Sequence, residues 1–362
     1  MKTYDAAIIG GGLLGRLLAW RLAESGVSVI LHEAASRAGE QSAAYVAAAM
    51  LAPSAEAVAA TPLVTRLGYQ SLPLWKDYLT RWPQKVFFQQ QGSLMVWHGQ
   101  DAALAESFRR HVQQAHPQQQ VWQEWQAADI AAHEPQLAGR FRRGLLLPQE
   151  GQLDNRQTLL ALAEAAEAAG AQCCFGHSVT PDEARAQAGI VIDCRGVAAK
   201  NDWNSAPGSR LRGVRGEVAR VYAPEVRLTR PVRLLHPRYP LYICPKEAQV
   251  FVIGATQLES EDGGPVSVRG VLELFSALYA VCPAFGEARV LETASGLRPT
   301  LNHENPEIRW QPERRLLSLN GLFRHGFMIA PAVAEAALDL VQTALNGAAL
   351  PESADGMPVV YQ

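Results

Sequence analysis

The sequence is short of cysteine, of charge of one sign and of long apolar runs, and each shortage removes a class of function. Its 362 residues include five cysteines, Cys173, Cys174, Cys194, Cys244 and Cys282. They form no CxxC pair and no metal-ligand spacing, so neither a disulfide scaffold nor a metal site is expected. Adjacent Cys173 and Cys174, in a strand-like stretch, read as packing residues rather than a redox pair. The 33 Lys and Arg nearly balance the 35 Asp and Glu, for a net charge of −2. No field of one sign would draw nucleic acid or an anionic membrane. No run of about 18 uncharged apolar residues is present, so no membrane span is expected. No GxSxG motif supports hydrolase chemistry.

What the chain does have is apolar content. Hydrophobic residues are 48% and charged residues 19%, which excludes disorder as the main state because so much apolar surface needs burying. The length suggests about two domains. The first residues could imitate an export signal, but Asp5 precedes the apolar run, three glycines interrupt it and Arg16 ends it. They read as a buried strand and a helix, and a cytoplasmic location is expected.

Tyr4 to Ile9 reads as a buried parallel strand, Leu13 to Glu24 as a helix stopped by Gly26, and Val27 to His32 as a second strand. Further on, helices are expected over 61–82, 101–114, 155–169, 268–281 and 328–345, and strands over 142–147, 171–175 and 189–193. Phe87 to Gln91 and Ser93 to Trp97 read as a hairpin around Gly92. Strand-helix-strand units stand at the start, around 150–200 and near the end, with more β-like pieces between. The expected fold is therefore α/β: a Rossmann-like nucleotide-binding domain from 1–85, 145–212 and 291–362, and an inserted α+β domain with an antiparallel sheet from 86–144 and 213–290.

Gly10-x-Gly12-x-x-Gly15 follows the first strand and opens the first helix. Gly10 permits the tight turn, Gly12 lets the backbone approach a pyrophosphate, and Gly15 lets helix and strand pack closely. The N–H groups at the helix start, around Leu13 and Leu14, would face the phosphate. Glu33 ends the second strand, where a carboxylate accepts hydrogen bonds from the adenosine ribose and repels a 2′-phosphate. A bound dinucleotide is the reading.

After Glu33 come Ala34, Arg37, Gly39 and Ser42, then small residues from Ala43 to Leu51, including Ala49 and Met50. This pattern, E-x-x-x-R-x-G-x-x-S followed by A-A-x-M-L-A-P, resembles the D-amino-acid-oxidase superfamily of FAD proteins, with glycine and sarcosine oxidases as the nearest likeness. Later blocks resemble the same family in the same order. They are Gly151 with Asp154, Val191 to Gly196, Val214-Arg215-Gly216-Glu217, Tyr242 with Pro245 and Gly254-Ala255-Thr256, Gly296-Leu297-Arg298-Pro299, and Gly321 to Pro331. Gly213 stands where the family usually has proline.

The resemblance implies FAD, held by the fingerprint, by a helix beginning in the Ala43 stretch, by Val179, Cys194, Arg195 and Gly196, and by Arg298 and the block from Arg324 and His325 through Gly326, Phe327, Met328 and Ile329. It also implies that Arg298 grips a substrate carboxylate with two parallel hydrogen bonds, helped by the Tyr242 hydroxyl and a second charge from Arg324. Met50, Leu51, Gln257 and His325 are the expected pocket side chains. The helix after Gly326 would point its N-terminus at the flavin and favour its anionic reduced form. Hydride would pass from the substrate Cα to flavin N5, and the imine would hydrolyse to an oxo acid. No cysteine follows Cys282, so the FAD is expected to be non-covalent. The expected partners are a small amino acid or amine and O2 or another acceptor; a homo-oligomer is left open. Pro240 and Gln257 depart from the family pattern and put the exact amine in doubt. The alternatives are an FAD dehydrogenase that passes electrons to a quinone or carrier, and a flavoprotein subunit of a heteromeric amine dehydrogenase.

Overall fold

The computed structural model describes residues 3–238 and 240–362. Its first eight-stranded sheet runs, in spatial order, Ser353–Ala354, Met357–Tyr361, Glu307–Gln311, Leu316–Asn320, Ala188–Asp193, Tyr4–Ile9, Val29–Glu33 and Gln172–Phe175. The five strands from Leu316–Asn320 to Gln172–Phe175 are parallel. Side chains of Tyr4–Ile9 divide between two cores. Ala6 and Ile8 pack with the large helical layer, whereas Ala7 and Ile9 pack with Ala184 of the short helix Pro181–Gln187. Burial on both faces explains the unbroken apolar run.

Three helices dominate the large layer: Leu13–Glu24, Pro62–Arg81 and Gly326–Leu345. The segment Phe323–Leu345 is long and apolar enough to cross a membrane by length and composition, but its most apolar window is 72% buried inside the protein. A helix apolar all round suits that central position. Pro331 lies inside it and has no N–H to give the carbonyl of Phe327. Trp75 Nε1 donates to that oxygen instead, at 2.7 Å, and the neighbouring Ala332 N–H donates to Ser71 Oγ at 3.1 Å. Both partners come from Pro62–Arg81, so the proline is repaired by the helix it packs on.

The second eight-stranded sheet runs Arg289–Leu301, Leu211–Tyr222, Val250–Gly254, Leu241–Pro245, Val232–Leu235, Ser93–Trp97, Arg143–Leu147 and Gln123–Gln126. It is antiparallel except where Val232–Leu235 meets Ser93–Trp97. Arg289–Leu301 belongs here along its whole length, past the sequence boundary at 291, because it pairs with Leu211–Tyr222 from end to end. Arg143–Leu147 likewise crosses the boundary at 145.

The hairpin expected around Gly92 does not form. Phe88–Gln89 pairs with Gly151–Leu153 in a small three-stranded sheet, while Ser93–Trp97 turns away into the large one. Gly92 makes the bend: its φ is +84°, and its N–H donates to Glu150 O rather than across a hairpin.

Candidate active site

The strand Tyr4–Ile9 ends at Gly10, whose φ is +95°. A Cβ there would lie 2.7 Å from the backbone of Arg195. A Cβ on Gly15 would collide with the Gly10 carbonyl oxygen, so Gly15 serves the helix packing and does not line the cavity. Gly12 caps the helix without a side-chain bond, leaving N–H groups at Leu13 and Leu14 open to a cavity of about 1250 Å³. Glu33 and Ala34 line the same end, together with Val179. The Glu33 carboxylate accepts from Ala35 N–H at 2.7 Å and from Gly11 N–H. Cys194, Arg195 and Gly196 close this end. Arg195 is fixed on Asp193 and Asp202, both at 2.6 Å. The volume exceeds the ~300–1,000 Å³ of a single small-ligand pocket, as a dinucleotide with a substrate beside it would require.

The small-residue segment forms the floor. Ser42 caps a single turn, Ala43–Val46, and the chain then runs extended through Met50–Leu51. The longer helix expected here is absent because the backbone has other partners. Leu153 N–H donates to Ala49 O at 3.1 Å, and Lys246 Nζ donates to Ala48 O and Leu153 O, each at 2.8 Å. Burial lowers the Lys246 pKa to about 8. Ala49 takes a φ of +53°. Ser42, Ala43, Ala49 and Met50 line the cavity, whereas Leu51 is fully buried in the core.

One face of the second sheet forms the opposite wall, and strand register decides who stands on it. Met95 pairs with Arg233, Arg233 with Tyr242, Tyr242 with Gly254 and Gly254 with Val218. Directly paired residues share a face, and on this face Gly216 and Gly296 pair, two residues from the Arg298–Val214 pair. A Cβ on Gly216 would overlap the guanidinium of Arg298, and a Cβ on Gly254 would overlap the hydroxyl of Tyr242. These two glycines are seats for the two side chains. Arg298 is anchored from behind: Nη1 donates to Arg215 O at 3.3 Å and Nη2 to Thr256 O at 3.1 Å. Burial lowers its pKa, partly offset by Tyr242. Burial raises the Tyr242 pKa, so the phenol keeps its proton and remains a donor.

The block after Gly321 supplies the end wall. His325 precedes the helix Gly326–Leu345, and its N-cap again lacks a side-chain bond. Gly326, Phe327 and Met328 line the cavity, so this second uncapped helix start also faces it. Ile329 points into the core instead and is fully buried. Arg324 Nη2 lies 3.2 Å from Glu56 Oε2, and its Nη1 reaches Gln257 Oε1 at 3.4 Å. Arg233 Nη2 holds Glu56 Oε1 at 2.8 Å, and His325 Nδ1 lies 3.7 Å from Glu56 Oε2. Burial works against the Glu56 charge, but Arg233 and Arg324 outweigh it and hold the pKa at about 2. Burial pushes the His325 pKa down to about 4, so the imidazole is neutral near pH 7.

The structure thus gathers Tyr242, Gln257, Arg298, Arg324, His325 and Met50 at one end of the cavity. Arg37 is not among the lining residues: it pairs with Glu167 at 2.6 Å and lies over the Phe175 ring. Glu56 and Arg233 escape the sequence reading, and Gly216 and Gly254 enter it only as members of family-like blocks, not as site residues. No periodicity marks them, since each owes its place to cross-strand register or to a salt bridge between distant segments.

The FAD dependent oxidoreductase family, DAO, matches residues 5–340. A protein of Rhizobium etli, named for a thiamine biosynthesis oxidoreductase, ThiO, is 42% identical over 325 residues, covering 90% of this chain and 92% of its own. The glycine oxidase of Geobacillus kaustophilus is 28% identical over 357 residues, covering 94% and 93%. In the structural comparison, the crystal structure of that oxidase superposes with a TM-score of 0.80, at 24% identity, covering 94% and 95%. Two uncapped helix starts, the glycine cradle and Glu33 line one cavity, an arrangement that fits a dinucleotide. The chain belongs to the FAD dependent oxidoreductase family and is an FAD enzyme.

Proposed function

We propose that this enzyme oxidises the C–N bond of a small amino acid or N-alkyl amino acid, in the manner of a glycine oxidase, and yields an oxo acid with ammonia or an amine. The observation that carries this reading is the seat of Arg298 and Tyr242 over Gly216 and Gly254, facing the uncapped start of Gly326–Leu345. The segments of the first sheet are read as the FAD-holding part and those of the second as the substrate-holding part. Bound FAD supplies the two-electron chemistry, accepting hydride from the substrate Cα.

The protein's own residues bind and orient. Arg298, anchored by two carbonyls, offers its free edge to the substrate carboxylate, and the protonated Tyr242 adds a hydrogen bond. Positioning of this kind converts the reaction into an effectively unimolecular one. Neither His325 nor Glu56 is a base of useful strength near pH 7, with pKa values of about 4 and about 2. The amine therefore gives up its proton to solvent before transfer. The uncapped helix start at Gly326 would favour negative charge on a cofactor bound beside it.

Arg298→Ala tests the assignment. The variant is expected to keep its FAD and its folded spectrum while KM for a carboxylated amine rises at least a hundredfold. Unchanged turnover kinetics would remove Arg298 from the site.

A further inference from the structure

Arg298 and Tyr242 account for one carboxylate. Two more guanidiniums line the same end of the cavity, Arg233 and Arg324, and they share one carboxylate, Glu56. Glu56 stays ionised and His325 stays neutral. Arg233 also faces Glu150, whose pKa burial raises to about 7, so that below this pH it is mostly protonated and only partly offsets the charge. The three cations then exceed Glu56 by up to two, and a ligand with one acid group covers only one of them. Leaving charge buried without a partner is costly.

The excess lies in a definite place. Arg233 stands on Val232–Leu235 directly opposite Tyr242, and Tyr242 stands opposite Gly254, over which its ring lies. Arg298 reaches the same spot from the far side, through Thr256 O. Tyr242 therefore separates two cationic positions on one sheet face. The Arg233 strand is three strand spacings, about 14 Å, from Leu211–Tyr222, over whose Gly216 the Arg298 guanidinium lies. Arg324 joins Arg233 through Glu56 and closes the second position. About a fifth of the Arg233 side chain remains exposed, and it lines the cavity.

We propose that Arg233 and Arg324 form a second anion subsite, and that the preferred substrates are amino acids carrying a second acid group on the far side of the amine. The inference rests on the amine-oxidation reading and names its substrate class. With iminodiacetate as the probe, hydride leaves one Cα and two electrons pass to FAD. Water then adds at the imine carbon, and glyoxylate and glycine are released. The second carboxylate remains on Arg233 throughout.

The test compares iminodiacetate with sarcosine, which has a methyl in place of the second carboxymethyl. Holoenzyme is assayed as wild type, Arg233→Met and Arg233→Lys. Wild type is expected to show kcat/KM at least tenfold higher for iminodiacetate. Arg233→Met is expected to cut that ratio at least tenfold, and Arg233→Lys to restore part of it. Equal wild-type values, or a ratio that Arg233→Met leaves unchanged, would overturn the proposal while leaving amine oxidation standing. A second readout needs neither turnover nor a variant that folds: perturbation of the flavin absorbance by succinate against propionate. Tenfold tighter binding of the diacid supports the subsite, and equal binding overturns it. If neither these two amines nor glycine, D-alanine, D-proline or larger D- and L-amino acids reduce the flavin, the amine-oxidation reading falls, and the diacid comparison still decides the subsite.

Discussion

Arg298 can lie flat across the sheet because Gly216, on the neighbouring strand, has no side chain. Gly216→Ala puts a methyl where the guanidinium rests. The displaced atoms are the end of a flexible side chain, so the fold and the FAD are expected to survive. KM for a carboxylated amine should rise at least tenfold, a loss of about 1.4 kcal/mol of carboxylate binding. Steady-state kinetics with a flavin-content measurement checks this, and an unchanged KM would show that the seat is not needed. The sequence displays Gly216 only as one residue of a family-like block, since its effect depends on register with a strand 80 positions away. A second buried acid sets the pH dependence of stability. Glu150 accepts from Ala55 N–H at 2.7 Å and from Ser93 Oγ, and burial raises its pKa from 4.5 to about 7. Between those values the folded protein holds a proton that the unfolded chain has released, so stability falls as pH rises through that window. Across that window the loss is about 3 kcal/mol. Glu56 behaves oppositely: its stabilisation is present above its unfolded value of 4.5 and is lost as pH falls toward 2. His325, its pKa lowered from 6.5 to about 4, contributes with the opposite sign over much of the same range, so the Glu150 contribution is read as a difference between two proteins. Between pH 4.5 and 7.5, denaturant titrations should show wild type losing about 3 kcal/mol of stability relative to Glu150→Gln. A parallel decline in both proteins would contradict it.

At the scale of elements, the helix Gly326–Leu345 must be placed accurately, because its uncapped start faces the cofactor cavity. Its register is pinned near that start by Trp75 and Ser71, which satisfy groups left open around Pro331. Trp75→Phe keeps an aromatic ring but leaves the Phe327 carbonyl buried without a donor. The expected cost is about 1–3 kcal/mol, read as a lower unfolding midpoint with little change in the slope. A loss below 0.5 kcal/mol would mean that water replaces the indole donor. The sequence discloses this helix readily by its apolar periodicity, as it does the opening strand-helix-strand unit, where glycines, acid and spacing all agree. It misleads around Gly92. Two short apolar runs flanking a glycine have the local look of a hairpin, yet each finds a better partner in a distant strand. It also overstates the helix after Ser42, where Lys246 and Leu153 capture the carbonyls and hold the chain extended.

For the whole molecule, residues from both sheets line one cavity, and the proposed function follows from that meeting. The parallel sheet brings two helix starts and an acid to the cavity, and the antiparallel sheet brings it a patterned wall of arginine, tyrosine and glycine; on the proposed reading the first holds the cofactor and the second the substrate. The motifs of the first are contiguous in sequence and so were readable there. Much of the second is assembled by register and is not: Glu56 and Arg233 carry no local mark, and the two glycines stand in family-like blocks that do not reveal them as seats, since all four meet only on the folded wall. The central claim is that a bound small amino acid delivers hydride to FAD in this cavity. An anaerobic absorbance titration of the purified holoenzyme with glycine, sarcosine, D-alanine, D-proline and larger D- and L-amino acids tests it directly. At least one small amino acid or N-alkyl amino acid is expected to bleach the flavin band. A yellow protein whose band none of these compounds bleaches would contradict it.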